Sequence, residues 1–440
     1  MTVEHIYLLI SRELKAGTHP SDLLDLLEEL TVEQIADLMQ HLPVTEAALI
    51  FQEMKDFEQA DILRLLDDER TKAILSSMAT DDAVDLIGEL TPEEAQEMLQ
   101  LVDEEDQADF GDLLGYPEES AGGLMTTEYI SLPADIPVEE AISRLREIAP
   151  EAETIYYVFV VDNQNHLIGV LSLRDLIAAA DGTTLKNIMK RNVISVNVAV
   201  DQEEVARIVS KYDLLAVPVV DDQDRLLGIV TVDDVIDVME QEATEDIYRF
   251  AGAGEVEGVG LTDAPVLKVV KMRLPWLIVA MLGGTISGSV IGVYRSTLET
   301  IVVLAVFIPV IMGMGGNVGT QSSTIFVRGL ATGEIDKSDV WDYFFREIKV
   351  GISMGFVCGS LISLTAFFWQ GNPYLGLVVG TSMFITICVA TLIGTLVPLL
   401  LNMAHIDPAI TAGPFVTTIK DVTGLLIYFG IASLFLKFLG

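Results

Sequence analysis

The chain has 440 residues, with 66 Asp and Glu against 26 Lys and Arg, a formal net charge of −40 and a hydrophobic share of 50%. So large a negative excess repels phosphate and excludes nucleic acid as a partner. The charge is segregated: residues 268–440 hold 10 basic and 8 acidic side chains, leaving 16 and 58 for residues 1–267, so the two parts carry +2 and −42. A strongly acidic polar region is therefore joined to a near-neutral apolar one, and a multivalent cation is the natural partner of the first.

The chain begins MTVEHIYLLISRELK, which lacks the basic start and long apolar run of a signal peptide. Residues 1–122 read as an acidic, all-α domain of short helices, with Leu23, Leu24, Leu27 and Leu30 at helical spacing. Thr31 followed by Gln34, and Thr91 followed by Glu94, fit the capping box, in which side chain and backbone at a helix start satisfy each other's donors. Pro92 suits the first helical position, where no N–H is needed. The recurrence of ELTVEQ and ELTPEE points to a stacked helical repeat. No nucleophile triad or Gly-rich phosphate loop occurs, and the five histidines (5, 19, 41, 166, 405) are scattered, so an enzyme is not expected.

Residues 123–241 change character and hold two similar units, about 125–180 and 189–240. YVFVVDNQNHLIGVLSLRDLIAA (157–179) matches AVPVVDDQDRLLGIVTVDDVIDV (216–238). Each has a β-branched strand, an acidic turn, a second strand with a central Gly, and a helix capped by Ser172 or Thr231. The repeat resembles a tandem pair of cystathionine β-synthase (CBS) domains, α/β modules that dimerise and often bind adenine nucleotides. That resemblance implies ATP as a candidate ligand, with Asp175 (or Asp234 in the second unit) on the ribose, Arg174 on phosphate and Tyr157 on the base. A bland alternative is that both aspartates only complement helix dipoles.

Acidic residues crowd the second unit and its continuation. Asp234 and Asp237 share a helix face, as do Glu242 and Glu245, and Asp81 and Asp85 are four apart on another. Faces so charged are either solvated or meet across counterions, for which Mg²⁺ with carboxylate and water ligands is suited. Residues 242–273 form a connecting helical segment, loosened by Gly252, Gly254, Gly258 and Gly260.

Residues 274–440 read as an α-helical membrane bundle. Five apolar spans are expected near 274–293, 301–326, 350–369, 374–403 and 411–439, each long enough for a bilayer core about 30 Å thick. Lys268, Lys271, Arg273, Arg328, Lys337, Arg346 and Lys349 flank one side and only Arg295 and Lys437 the other. The positive-inside rule then puts the acidic region in the cytoplasm, and five spans put the C-terminus outside. Cys358 and Cys388 fall within spans as packing residues. Asp421, in the last span, is a carboxylate where charge is costly and usually functional. The second span carries PVIMGMGGNVGTQ (309–321), whose glycines permit irregular backbone facing water and also close helix packing, two compatible readings. Lys420 is adjacent to Asp421 but points about 100° away on a helix, which disfavours direct pairing.

The acidic helical domain, the tandem CBS units, the five spans, PVIMGMGGNVGTQ and DPAITAGPFVTTIKDVTG (407–424) together resemble the MgtE-type magnesium channel family. The resemblance implies a homodimeric, Mg²⁺-selective channel lined by the second and fifth spans, with Asp421, Asn317, Gly313 and Thr417 at the pore. It also implies closure by cytoplasmic Mg²⁺ at Asp81, Asp85, Glu203, Asp213, Asp234, Asp237, Glu242, Glu245 and Asp246, with Mn²⁺ and Co²⁺ as further candidate ions. The competing readings are an ion-coupled divalent-cation carrier and a membrane-anchored divalent-cation receptor.

Overall fold

A computed structural model of the chain describes residues 3–27, 30–54, 56–150, 152–251, 265–335, 339–404, 406 and 414–439. It divides into two compact units, Met1–Glu240 and Gln241–Gly440. The first begins with short helices α1 (Val3–Ala16), α2 (Ser21–Leu24), α3 (Val32–His41), α4 (Val44–Gln52), α5 (Asp56–Leu63), α6 (Asp68–Leu75), α7 (Thr80–Gly88), α8 (Pro92–Leu101) and α9 (Glu104–Leu113). Packing runs largely two helices on, as in α3 on α5, α4 on α6, α5 on α7 and α6 on α8. That is the expected stacked repeat. Both capping boxes form, with the Thr31 and Thr91 backbone N–H groups donating to Gln34 Oε1 at 3.0 Å and Glu94 Oε2 at 3.0 Å. Pro92 opens α8 as predicted.

The two α/β units follow. In the first, β1 (Ser131–Pro133) runs parallel to β2 (Tyr157–Val161), which pairs antiparallel with β3 (Leu167–Ser172); α10 (Val138–Ile148) and α11 (Leu173–Ala178) complete it, and α12 (Leu185–Ile188) leads out. The second repeats this order with β4 (Val196–Asn197), α13 (Gln202–Tyr212), β5 (Ala216–Val220), β6 (Leu226–Thr231) and α14 (Val232–Phe250). The acidic turns are equivalent in detail. Asp162 Oδ1 accepts from the N–H groups of Gln164 and His166, and Asp221 Oδ1 from those of Gln223 and Arg225. Asn165 and Asp224 take the left-handed conformation that closes each turn, a conformation Asn and Asp tolerate better than most residues. The two tips then cross-pair, Leu167 N to Asp224 O and Leu226 N to Asn165 O, each at 2.9 Å. The repeat is thus a pseudo-symmetric pair. The start of the expected first unit belongs physically to the second: Thr126 and Ile229 exchange backbone hydrogen bonds at 2.9 and 3.0 Å. Close approach explains Gly123, where a Cβ would stand 2.4 Å from the Glu118 carbonyl oxygen.

In the second unit, five helices are long and apolar enough to cross a membrane. They are α15 (Val266–Val293), α17 (Leu304–Ala331), α18 (Val340–Gln370), α19 (Pro373–Met403) and α20 (Pro414–Leu434), with short α16 (Arg295–Thr300) and α21 (Leu436–Leu439) beside them. α19 packs against α17, α18 and α20, and α20 also against α15 and α17. The 242–273 connector is not one separate helix: 242–250 continue α14 and 266–273 begin α15. Gly252, Gly254, Gly258 and Gly260 lie outside the described residues, as do Lys337, His405 and 407–413 of the second membrane motif.

Candidate cation sites

α17 is helical throughout Leu304–Ala331, Pro309 included, so its glycines do not break the backbone. Two of them, Gly315 and Gly319, let neighbours approach. A Cβ on Gly315 would meet the Thr386 methyl at 3.1 Å, and one on Gly319 would stand 2.1 Å from Lys420 Cδ. Close packing is thus realised at Gly315 and Gly319, whereas a Cβ on Gly313 or Gly316 would meet nothing within 4 Å. One face of α17 stays open within the single chain. Gly313, Asn317, Thr320, Gln321, Thr324 and Arg328 recur there at three- and four-residue spacing and are exposed. Asn317 and Gln321 also line a groove of about 570 Å³ with Ser353, Met354, Val357 and Cys358 of α18. A polar stripe on a membrane-spanning helix is costly against lipid, so it requires water or protein across from it.

On α20, Thr417 and Asp421 are one turn apart and half-buried. Lys420, 2% exposed, extends onto α17, and its Nζ donates to Gly316 O at 2.9 Å and to Thr320 Oγ1 at 3.2 Å. This cross-link holds the Asp421 turn level with the Asn317 turn. Among the described residues no group hydrogen-bonds or ion-pairs with the Asp421 carboxylate. Sequence reasoning missed Glu347, which is 7% exposed and accepts from Ser322 Oγ at 2.8 Å, joining α18 to α17. The expected third span began beyond it, at residue 350. A charge one turn before a span was the available signal.

A second acidic gathering lies wholly within the first unit. Asp81, in the first turn of α7, is 8% exposed, whereas Asp85 on the same helix is exposed. The expected Asp81/Asp85 face is therefore split, and Asp81 meets Asp234 and Glu153 instead. Burial raises the Asp81 carboxyl well above the usual range, and the charges of Asp234, Asp82 and Glu153 push the same way. Asp234 is pushed up to about 6, by desolvation first and then by Asp233 and Asp82, against the opposing hydrogen bonds from Thr231. The Thr231 hydroxyl donates to Asp234 Oδ2 at 2.5 Å. Glu153 reaches about 7: its residue surface is largely open, but its carboxyl is desolvated and faces Glu128, Asp234, Asp233 and Asp82. Glu128 is fixed by the Thr80 hydroxyl at 2.7 Å. Glu128 and Glu153 were not legible as site residues, because they are loop carboxylates that gain neighbours only on folding.

The remaining expected positions are dispersed. Glu203 is exposed beside the Asp201 cap of α13, and Asp213 is the left-handed C-cap of that helix. Asp237 is exposed, its carboxyl raised by desolvation and then by Glu240, Asp233 and Glu53. Glu242, Glu245 and Asp246 follow on α14, where Glu245 pairs with Arg249. Among the described residues no three His, Cys, Asp or Glu converge on one metal position. The carboxylates around Asp81 and Asp234 stand close enough to repel one another.

The two equivalent aspartates of the α/β units differ. Asp175 Oδ2 accepts from the Ser172 hydroxyl at 2.6 Å and backbone at 3.0 Å, and those bonds hold its carboxyl below the usual range. Tyr157 pairs with Ser172 across β2 and β3, which brings Tyr157, exposed Arg174 and Asp175 to one corner of the first unit.

Three family profiles match the chain. One, MgtE, is described as a divalent cation transporter and covers residues 308–431; the MgtE intracellular N domain covers 18–119, and the CBS domain covers 121–182 and 185–241. The magnesium transporter MgtE of Bacillus subtilis is 43% identical over 74% of this chain and 71% of that protein. Its counterpart in Thermus thermophilus is 42% identical over 81% of this chain and 79% of that protein. The Enterococcus faecalis protein is 46% identical over 76% of this chain and 73% of that protein. Among solved structures, the cytosolic domain of the Mg²⁺ channel MgtE in complex with ATP superposes with a TM-score of 0.50 at 43% identity, covering 52% of this chain and 93% of that one.

Proposed function

The chain belongs to the MgtE family of magnesium transporters, and on that premise we propose that it is a homodimeric, Mg²⁺-selective channel closed by cytoplasmic Mg²⁺. The family is one of transporters, not enzymes. The observation that carries the pore assignment is Asp421: a half-buried carboxylate on a membrane-spanning helix, without a partner among the described residues, level with the open polar stripe of α17. A second copy related by two-fold symmetry supplies a second Asp421 and covers both stripes around a water-filled path. Mg²⁺ dehydrates reluctantly, so two carboxylates and the Asn317 carboxamide, with Gly313 and Thr417 a turn away, suit an ion that keeps several waters. The same preference suits the loosely gathered carboxylates around Asp81 and Asp234. Hydrated Mg²⁺ neutralises their repulsion through retained waters and favours the compact form.

The domain organisation we infer is 1–122 and 123–241 as the regulatory region, 242–273 as the connector and 274–440 as the pore. The regulatory region lies in the cytoplasm and the C-terminus outside, in agreement with the flanking basic residues. An ion-coupled carrier remains the competitor that flux in liposomes separates: a channel passes Mg²⁺ down its own gradient without a second ion.

ATP at the first CBS unit is a separate part of the proposal. It is supported by the corner that gathers Tyr157, Arg174 and Asp175 and by the ATP complex of the related cytosolic domain. Calorimetry on the full-length protein is expected to register ATP binding, weakened roughly tenfold in Asp175→Asn, which keeps the helix cap but loses one charged acceptor. Absence of heat at millimolar ATP would retire the site.

A further inference from the structure

We propose that Lys420 sets how tightly the pore holds its ion: its ammonium is a fixed counter-charge that keeps a divalent cation from being trapped at Asp421. This rests on the pore assignment of Asp421. A lysine in a membrane helix ordinarily extends its stem so that the charge reaches the interface. Lys420 does the opposite. Its side chain is buried, its stem fills the space that Gly319 leaves by lacking a Cβ, and its Nζ is tied to Gly316 O and Thr320 Oγ1. The charge is therefore held at one place, one residue from Asp421, behind the open stripe to which Thr320 belongs.

Two consequences follow from that placement. Because the ammonium is turned onto α17, it leaves the Asp421 carboxylate unpaired and open to an ion. Because it is fixed and shielded from bulk salt, its field at the Asp421 site is weakly screened and opposes cation binding there. Conduction needs a site attractive enough to be entered and weak enough to be left. A two-copy site with two carboxylates would hold Mg²⁺ long enough to block itself. Two fixed ammonium groups behind it shorten the residence.

Lys420→Gln keeps an N–H donor for Gly316 O and removes the charge, while Lys420→Arg keeps the charge. Mg²⁺ flux into proteoliposomes is measured against Mg²⁺ concentration for both, with melting temperature as the check on folding. Lys420→Gln is expected to lower the half-saturating concentration roughly fivefold and to reduce maximal flux, a split that loosened packing does not produce. Lys420→Arg should stay within about twofold of the parent's half-saturation. An unchanged half-saturation in Lys420→Gln, or the same shift in both variants, would overturn the proposal and leave Lys420 as a packing brace. Absence of Mg²⁺ flux in the parent chain would instead sink the pore assignment, and this inference with it.

Discussion

Mg²⁺ flux through Asp421→Asn is expected to fall at least about a hundredfold, with the protein still folded. The shape of the side chain is kept and only the charge is lost, so the result isolates electrostatics. In a two-fold pore the substitution removes both carboxylates at once, and their attraction for a hydrated divalent ion is worth several kcal/mol in a partly desolvated site. Stability should not drop, since a charge without a partner is being taken out of a membrane helix. Asp421→Ala should behave alike. Flux at the parent's level in a folded Asp421→Asn protein would remove Asp421 from the pathway.

The second large effect concerns closure. Asp234→Asn, Asp237→Asn, Glu242→Gln and Glu245→Gln combined should give a channel that stays open at cytoplasmic Mg²⁺ levels that close the parent. Closure requires Mg²⁺ to bind the compact form better than the open one. One site at a hundred times its dissociation constant contributes about 2.7 kcal/mol, whereas moving a population from 1:99 to 99:1 takes roughly 5.5 kcal/mol. At least two sites must act together, and the variant neutralises candidate ligands on two stretches of α14. Four neutralised groups leave most of the −42 of residues 1–267 in place, so repulsion still holds the faces apart.

The same carboxylates give a pH signature. Asp234 titrates near 6 and Glu153 near 7 in the folded chain, against ordinary carboxyl values near 4 when unfolded. The folded state therefore binds more protons between about pH 4 and 7, and its stability is lost as pH rises through 6 and 7. Without divalent ions the cytosolic region should melt roughly 2–4 °C higher at pH 5.5 than at pH 7.5. Millimolar Mg²⁺ should narrow that difference by replacing the protons. Equal melting at both pH values, with or without Mg²⁺, would mean the acidic faces are merely solvated.

Much of this architecture could be read directly from residue patterns. A 3.6-residue period, two capping boxes, a duplicated strand–turn–strand pattern and five apolar runs each rest on local chemistry, and each forms, although α2 ends at Leu24, short of Leu27 and Leu30, and the third apolar helix starts at Val340 rather than near 350. Asp421 stood out because a charge in an apolar run has a cost that no fold removes. What escaped was set by contacts between distant segments. Gly313, Gly315, Gly316 and Gly319 fit a broken helix as well as a close-packed one; only the Lys420 stem across Gly319 decides for packing there. Asp81 and Asp85 look equivalent on a helical wheel, yet one is buried against α14's first turn and the other faces water. Glu128, Glu153 and Glu347 carry no local mark of their roles, which arise from neighbours more than twenty residues away.

Mg²⁺ currents recorded from the purified full-length chain in planar bilayers, with Mg²⁺ gradients set independently of Na⁺ and H⁺, separate a channel from a carrier. The channel reading predicts a current that reverses at the Mg²⁺ equilibrium potential whatever the other gradients, and that closes as Mg²⁺ rises on the side bearing the acidic region. Mg²⁺ uptake that carries no such current, or that stops when a Na⁺ or H⁺ gradient is removed, would contradict it and establish a coupled carrier instead.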